Sequence, residues 1–403
     1  MRRFISLLII VFLGYVSKPL WEEPVKQFDD SSIWDSIRSK IDLVIENEDI
    51  DLTVVDLQEK INSFLTPPED SHLEINDENK GNSPLPLAVP EEQFFSIHNI
   101  ELGFSRAEVE EETGGSAQRT SKNEYDVNWE AYHVSYQNFI LVAYDDEDIV
   151  RGLYTNQDLI ASKTEIKLGS PMQLVHDHLG TPESFIKKGV TNYQIKSNGE
   201  YDEFYLENSY VTVFYDQHEN NTVTAIKVID EELEQDRDFY YSQPSQELKE
   251  GFEYQLFDLT NSTRVNHHLP ILTWDEQVRE TSRRHSLDMA ENQYFGHTNL
   301  EGQSPFERME EDNIQFKTAG ENLAFGQISS IFAHEGLMNS LGHRENTLQE
   351  HYRYLGVGVA FNSESQPYFT KKYYSNSWTL LNRHNNQVTW VPTELLVVQH
   401  RNN

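Results

Sequence analysis

An internal repeat constrains the fold of the first half of the chain more than any other feature of the sequence. The pattern Ile-x-Leu-Gly, followed by a valine and a closing glycine, begins at Ile100 and again 66 residues later at Ile166. An alternating aromatic stretch follows each copy, from Tyr132 to Tyr144 in the first and from Phe204 to Tyr215 in the second. Each copy is therefore predicted to form a short helix closed by glycine and then a small antiparallel sheet.

The second half of the chain carries polar side chains directly after glycines at three separated positions. His297, Glu321 and His343 each follow a glycine, and Asn322 follows Glu321. Glycine permits tight backbone turns. The pattern therefore predicts that the three side chains lie on loops around one cleft.

Two helices are predicted upstream of the glutamate. A helix after Asp275 places His285 on the face that points at the core, where a histidine is more often a hydrogen-bonded structural residue than a ligand. Further along, Ser304 and Glu307 form a capping box with proline at the first helical position. A second helix is therefore predicted to begin at Pro305.

A third helix and two strands are predicted downstream. The helix begins at Ser329-Ser330 and ends at Gly342, which leaves His343 beyond its end. Leu355, Val357 and Val359 alternate with glycines, which predicts a central strand. The stretch from Tyr368 to Trp378 is predicted to be its antiparallel neighbour.

In their order along the chain, five blocks of this half resemble the bacterial CAP domain, from the family that includes cysteine-rich secretory, insect-antigen and plant pathogenesis-related proteins. The resemblance covers about Phe252 to Leu380 and implies an α-β-α sandwich of about 130 residues. The blocks that carry it are Leu272 to Asp275 with Arg284 to Ala290, Tyr294 to Asn299, Ala319 to Ala324, Asn339 to Asn346, and Tyr354 to Ala360.

The repeat in front of these blocks resembles the tandem modules of β-lactamase inhibitory protein and, placed before a CAP domain, the CAP-associated N-terminal domain of Gram-positive bacteria. Together the resemblances imply an α+β chain, in which a C-terminal CAP α-β-α sandwich is preceded by a duplicated small helix-plus-antiparallel-sheet domain. His133, His176 and His178 are scattered through the repeats. A binding or packing role for the sheet faces is therefore favoured over a metal site there.

The CAP resemblance also implies a cleft that collects two histidines and two glutamates. His297, Glu321 and His343 match three of these positions, which makes them the candidate metal ligands and the candidate catalytic residues of any hydrolase. With Asn322 they are the candidate ligand-binding residues. The second glutamate is missing, because the chain has Met338-Asn339-Ser340 where it is expected.

Two readings of this incomplete set stay open. Two imidazoles and one carboxylate can hold zinc and leave a fourth position for water. The same side chains can instead form a hydrogen-bonded network that shapes a cleft without metal. Zinc is therefore a candidate cofactor, and no cofactor is assigned.

The charge of the chain limits the classes of partner that it can bind, and its cysteine content excludes disulfide bonds. The formal charge is −35, and from Phe252 onward 18 acidic and 12 basic side chains contribute only −6, so −29 lies in the first 251 residues. A chain this acidic is not expected to bind nucleic acid. It has no cysteine, so it forms no disulfides, and this fits a bacterial member of a family whose eukaryotic members are rich in cysteine.

The N-terminus predicts export. Met1-Arg2-Arg3 precedes an apolar run from Phe4 to Val16, the length of a signal-peptide core. A good cleavage site is missing, so a removed signal peptide and an uncleaved membrane anchor both remain open, and a buried N-terminal helix is a third reading. The expected location is extracytoplasmic, with any membrane contact made through the N-terminus.

Six segments are predicted along the chain. A linker between the repeats and the CAP domain would let the two fold separately. The segments are a signal peptide or membrane anchor at 1–16, an acidic stalk and proline-rich linker at 17–92, the CAP-associated N-terminal domain at 93–230, a linker at 231–251, the CAP domain at 252–382 and a tail at 383–403.

Two functions follow from these features. The first is an exported binding protein without enzymatic activity, whose cleft recognises a cell-envelope glycan, peptide or lipid. The second is a metal-dependent hydrolase, in which His297 and His343 hold a metal-bound water and Glu321 is a ligand or general base. A serine hydrolase is disfavoured, because the sequence contains no Gly-x-Ser-x-Gly elbow.

Overall fold

The computed structural model describes residues 85–376 and 396–397. These residues belong to one compact unit. The predicted N-terminal segment 1–16, nearly all of the stretch 17–92 and most of the tail 383–403 lie outside the described residues. Within the described ranges, no helix is long and apolar enough to cross a membrane.

The first part of the described chain alternates short helices with antiparallel strands. Its elements in chain order are β1 (Phe95–Ile97), α1 (Arg106–Thr113), β2 (Arg119–Lys122), β3 (Asn128–Val134), β4 (Gln137–Tyr144), β5 (Val150–Thr155), β6 (Ile160–Ser162), α2 (Met172–Leu179), β7 (Phe185–Lys188), β8 (Thr191–Gln194), β9 (Tyr201–Leu206), β10 (Ser209–Asp216) and β11 (Thr222–Asp230).

The second part is richer in helix. Its elements are α3 (Glu231–Asp236), α4 (Gln246–Asn266), β12 (Thr273–Trp274), α5 (Glu276–Asn292), α6 (Pro305–Glu311), β13 (Thr318–Phe325), α7 (Ser330–Asn339), α8 (Leu341–Thr347), β14 (Tyr354–Phe361), β15 (Pro367–Ser375) and β16 (Leu396–Val397).

The repeat is confirmed, but its two sheets are joined. Helices α1 and α2 end at Gly114 and Gly180, whose positive φ values of 75° and 83° suit glycine. The main strands of both copies form one seven-stranded sheet in the order β2-β3-β4-β5-β11-β10-β9. Strands β5 and β11 pair antiparallel, with Tyr154 opposite Lys227. This pairing covers a strand edge that each copy would otherwise expose.

The second part forms the predicted α-β-α sandwich. Its sheet has the order β12-β14-β15-β13-β16, and β15 pairs antiparallel with its sequence neighbour β14 on one side and with the more distant β13 on the other. Helices α5 and α6 pack on one face, where Val278 and Met309 meet Ala319. Helices α4, α7 and α8 lie on the other face, where Phe252 and Ile331 pack in one core.

The stretch expected to be a linker at 231–251 is packed structure. It contains α3 and the first residues of α4, and the buried Glu234 is paired with Lys188 and Arg237. Helix α4 lies so close to β2 that a Cβ on Gly251 would be 2.0 Å from the carbonyl oxygen of Lys122. One hydrophobic core therefore runs from the repeat sheet through α4 into the sandwich.

Candidate functional site

Strand β13 carries the candidate glutamate and places it inside the sandwich. Glu321 is opposite Lys372 of β15 in the strand register, and both side chains are buried. Glu321 contacts side chains from α5 and α6, so it faces that layer. Side chains alternate along a strand. Asn322 therefore points to the opposite layer.

Both carboxylate oxygens of Glu321 are occupied. Oε2 is bonded by Lys372 Nζ and, at 3.0 Å, by Arg308 Nη2, while Oε1 lies 2.8 Å from His297 Nδ1. Burial by itself would raise the pKa of Glu321, but the charge of Lys372, the hydrogen bond with His297 and the charge of Arg308 hold it well below its usual range. Glu321 is thus an ionised carboxylate that Lys372 and Arg308 hold in a fixed position.

His297 lies on the loop after α5, as the glycine before it predicted. Its side chain is 21% exposed, whereas that of Glu321 is 1% exposed. Arg308 fixes the loop, because its Nη1 donates to the His297 carbonyl oxygen at 2.8 Å. The same arginine thus holds both the histidine backbone and the glutamate side chain.

The secondary structure around Glu321 and His343 differs from the predicted loops. Glu321 lies within a strand, and His343 lies within α8, not beyond a helix that ends at Gly342. The helix breaks two residues earlier than predicted, at Ser340, where an extended backbone with ψ of 118° separates α7 from α8. Asn339 just before the break is held by the Tyr215 carbonyl and the Gln217 amide of the repeat sheet.

His343 is buried and its hydrogen bond is local. Its Nδ1 lies 2.7 Å from Ser340 Oγ, and its Nε2 has no hydrogen-bond partner among the described residues. Burial, together with smaller effects of the nearby His297 and Lys371, lowers the pKa of His343 to about 4. The imidazole is therefore neutral at neutral pH.

Asn322 ties α8 to the sheet. Its Nδ2 donates to the His343 carbonyl oxygen at 2.9 Å and to Thr347 Oγ1 at 3.1 Å, and its Oδ1 accepts from Asn346 at 2.8 Å. The side chain has no exposed surface. These contacts make it a structural residue rather than the ligand-binding residue that the sequence suggested.

The arrangement does not fit the zinc set that the sequence suggested. No group of three or more His, Asp or Glu side chains is placed to hold a metal ion in the part of the chain that the structure describes. The physical reason is the saturation of Glu321: a dication there would have to displace Arg308 or Lys372 or share the site with their charges. The repeat histidines do not supply a metal group either, since His176 is paired with Asp202 at 2.6 Å.

A polar cavity of about 400 Å³ adjoins the Glu321 cluster. His285 and Arg308 belong to both, because each lines the cavity and each contacts or approaches Glu321. The lining comes from α5, α6 and the loop between them. Its residues are Thr281, Arg284, His285, Asp288, Asn299, Glu301, Gln303, Arg308, Glu311 and Asp312.

The sequence analysis did not identify Lys372 and Arg308, the two cationic residues that bind the Glu321 carboxylate. Lys372 stands with Lys371 in the middle of an aromatic strand, and a charge at a buried strand position is a signal for a buried partner. Arg308 lies one turn into the helix that the capping box predicted. Its partner is 13 residues away, a distance over which helix periodicity carries no information.

Two family profiles match the chain. The profile described as CAP-associated N-terminal matches residues 102–240, and that of the cysteine-rich secretory protein family matches residues 257–374. The first match falls on the repeats and the second on the sandwich that contains His297, Glu321 and His343.

Two curated relatives match part of the chain. The uncharacterized membrane protein YlbC of Bacillus subtilis (strain 168) is 41% identical over 121 residues, which is 30% of this chain and 34% of that protein. The uncharacterized protein YkwD of the same organism is 38% identical over 108 residues, which is 27% of this chain and 42% of that protein. The chain thus spans less than half the length of the curated relatives it matches.

Two solved structures cover most of the chain. An extracellular protein containing a SCP domain from Bacillus anthracis str. Ames gives a TM-score of 0.59 at 23% identity, over 72% of this chain and 98% of that one. A cysteine-rich secretory protein from Staphylococcus aureus subsp. aureus Mu50 gives 0.56 at 14% identity, over 71% and 95%. At these identities the likeness concerns the fold, and it confirms the predicted α+β architecture.

Proposed function

Because the chain carries a domain of the cysteine-rich secretory protein family behind a CAP-associated N-terminal domain, we propose that it is an exported protein that binds a cell-envelope ligand without chemically changing it. The proposal of export rests on the basic start and the apolar run from Phe4 to Val16. An envelope glycan, peptide or lipid is the class of partner, and the N-terminus is the proposed point of membrane contact.

The observation that carries the binding role is the cavity beside the Glu321 cluster. Its volume of about 400 Å³ lies in the range of small-molecule sites, roughly 300–1,000 Å³. It is lined by converging polar groups from two helices and a loop. Arg308 anchors the cavity wall to the buried glutamate, so the wall is held in place before a ligand arrives.

The state of Glu321 disfavours the hydrolase. A general base needs a pKa near the working pH, whereas Lys372, His297 and Arg308 hold the pKa of Glu321 well below its usual range. Its lone pairs are also engaged by these groups. Glu321 therefore serves to position Arg308 and His297.

Binding to isolated cell envelopes tests the proposal. The full chain is expected to co-sediment saturably with Bacillus subtilis envelopes, to release no soluble fragments from them, and to bind equally well after treatment with a metal chelator. In intact cells that express the chain, added protease is expected to digest it from outside.

Fragment release would contradict this proposal, above all if Glu321→Gln abolished the release while binding persisted. A chain wholly protected in intact cells would contradict export. Envelope sedimentation no greater than that of an unrelated acidic protein would contradict the binding role.

A further inference from the structure

A second, smaller cavity lies where the repeat sheet meets the sandwich. Strands β10 and β11 contribute to one side of it, and helices α7 and α8 contribute to the other. Its volume is about 40 Å³, which is room for about three water molecules and far below the roughly 300–1,000 Å³ of small-molecule sites. Asn266 and His267 line it and are exposed, so ions from the solvent can reach it.

Glu335 of α7 presents an unpaired oxygen to this cavity. The residue is 4% exposed, and its Oε1 accepts from the Tyr154 hydroxyl at 2.6 Å. Its Oε2 makes no hydrogen bond in the described part of the chain, yet it keeps accessible surface, and Glu335 lines the cavity. A group in the cavity can therefore contact Oε2 directly.

Thr224 of β11 supplies a second oxygen. It is the extra residue of a β-bulge, because Phe214 is opposite Ala225 and the next residue, Tyr215, is opposite Val223. A bulge changes the direction of a side chain, and Thr224 lines the cavity. Its hydroxyl has accessible surface and no hydrogen-bond partner among the described residues. Carboxylate and hydroxyl oxygens are ligands that hard cations prefer.

The groups that surround Glu335 leave its negative charge uncompensated when it is ionised. Asp216 of β10 already pairs with Arg344 of α8 at 2.8 Å. Tyr154 of β5 is neutral, since burial raises its pKa well above the ordinary value, and burial lowers the pKa of His267 at the end of α4. One positive charge in the cavity would therefore balance the site.

A proton supplies that charge at low pH. Burial, against the opposing effect of the hydrogen bond from Tyr154, raises the pKa of Glu335 to about 7. Above this pH the carboxyl group loses its proton while it stays buried. A buried carboxylate is costly unless another cation is bound beside it.

From this geometry we propose that the cavity binds one monovalent metal cation, sodium or potassium, in place of the proton on Glu335. The Glu335 carboxylate and the Thr224 hydroxyl are its protein ligands, and water fills the remaining positions. One proton leaves as one cation enters, so the charge of the site is unchanged. A divalent ion is disfavoured, because Arg344 lies beside the cavity and no group of three or more His, Asp or Glu in the described ranges is placed to hold a metal.

Urea unfolding of the full chain in matched chloride salts tests the site. At pH 8 we expect sodium or potassium chloride at about 0.2 M to raise the unfolding midpoint by about 0.3 M urea or more relative to choline chloride at the same concentration. Choline is too large for the cavity and controls for ionic strength. At pH 5 the proton occupies Glu335, so the three salts are expected to give the same midpoint.

Three variants separate the site from general effects of salt. Glu335→Gln removes the charge and is expected to lose the difference between sodium and choline. Thr224→Val removes one neutral ligand and is expected to reduce the difference about twofold or more. Glu310→Gln removes an exposed charge outside the cavity and is expected to keep the difference in full.

An equal difference between sodium and choline in the parent and in Glu335→Gln would overturn the inference. A difference as large at pH 5 as at pH 8, or an undiminished difference in Thr224→Val, would also overturn it. Calcium chloride of matched ionic strength that stabilised the parent more than sodium, with the gain lost in Glu335→Gln, would contradict the monovalent assignment. None of these measurements involves the envelope, so the proposed function would stand if this inference failed.

Discussion

At the scale of single residues, the main feature of the site is that Glu321 stays ionised although it is buried. Glu321 is buried in the sandwich and loses its contact with water. Hydrogen bonds from Lys372 and Arg308 take the place of the lost water contacts. A buried charge is tolerated only when it is paired and hydrogen-bonded. The arrangement therefore makes the carboxylate an anchor for the cavity wall.

Removal of Lys372 tests this role. We expect Lys372→Met to lower the free energy of unfolding by about 3 kcal/mol, because it leaves Glu321 buried with one cation fewer. The double variant Lys372→Met/Glu321→Gln is expected to regain part of this loss, since the uncompensated charge is then gone. Urea denaturation measures both.

The matched control for this series is Lys187→Met, which removes an exposed lysine on β7 and is expected to change stability by less than about 0.5 kcal/mol. A loss in the double variant larger than in Lys372→Met would show that the charge on Glu321 is not the cause.

The sequence predicted one contact of the site and missed the rest for a physical reason. His297 and Glu321 were expected together, and they are in direct contact. Their expected partner His343 lies on a helix, bonded to Ser340. Glycine before each residue predicts three loops, but glycine also occurs where a neighbouring group comes too close for a Cβ. At Gly320, a Cβ would be 2.1 Å from the Tyr352 hydroxyl.

At the scale of elements, helix α5 is held against β14 by small residues. Gly356 and Gly358 leave no room for a Cβ below the helix. Ser282 and Ser286 donate to the carbonyl oxygens of these glycines at 3.1 and 2.9 Å. The contact positions α5, which carries four of the ten residues that line the cavity, His285 among them.

Enlarging one of these glycines should separate the two elements. A Cβ on Gly358 would lie 2.1 Å from the Arg283 backbone nitrogen, so we expect Gly358→Ala to cost at least about 2 kcal/mol. Thermal unfolding measures the loss. Gly115→Ala, where a Cβ has open space, is the control and should be nearly neutral. Equal stability of the two variants would mean that α5 can move away from the sheet freely.

The starts and buried faces of the helices could be predicted where neighbouring residues in the sequence determine them. The capping box at Ser304 begins α6 as expected, and α5 begins after Asp275 and buries the predicted face with Val278, His285 and Met289. The break at Ser340 could not be predicted from its neighbours, because the repeat sheet holds Asn339 from more than 100 residues away.

At the scale of the molecule, the repeats and the sandwich are joined by polar contacts as well as by a shared core. Tyr154 of the repeat sheet donates to Glu335 of α7 at 2.6 Å, and Asp216 pairs with Arg344 of α8 at 2.8 Å. The repeat predicted two small sheets, but nothing local to either copy could predict their union or its docking on the CAP domain. Separate folding of the two domains stays a prediction, made from the shift in composition and pattern across Glu231 to Glu250.

The buried carboxyl at this junction makes stability depend on pH. Burial, against the opposing effect of the hydrogen bond from Tyr154 and with a smaller contribution from the charge of Asp216, raises the pKa of Glu335 to about 7. The folded chain thus holds a proton that the unfolded chain releases above its ordinary pKa of 4.5. Unfolding releases this proton, so the contribution of Glu335 to stability falls as the pH rises from about 4.5 to about 7.

Glu335→Gln removes this dependence and tests the sign. A glutamine oxygen can accept the same bond from Tyr154 but carries no charge. At pH 5 we expect the variant to match the parent within about 1 kcal/mol, and at pH 8 to be more stable by about 2 kcal/mol, somewhat less than the full shift implies at 1.36 kcal/mol per pKa unit. Urea unfolding at pH 5, 6, 7 and 8 measures the difference, with the exposed Glu310→Gln as a control that should stay flat. A difference between variant and parent that is constant across this range, or that grows toward low pH, would show that Glu335 is not protonated in the folded chain.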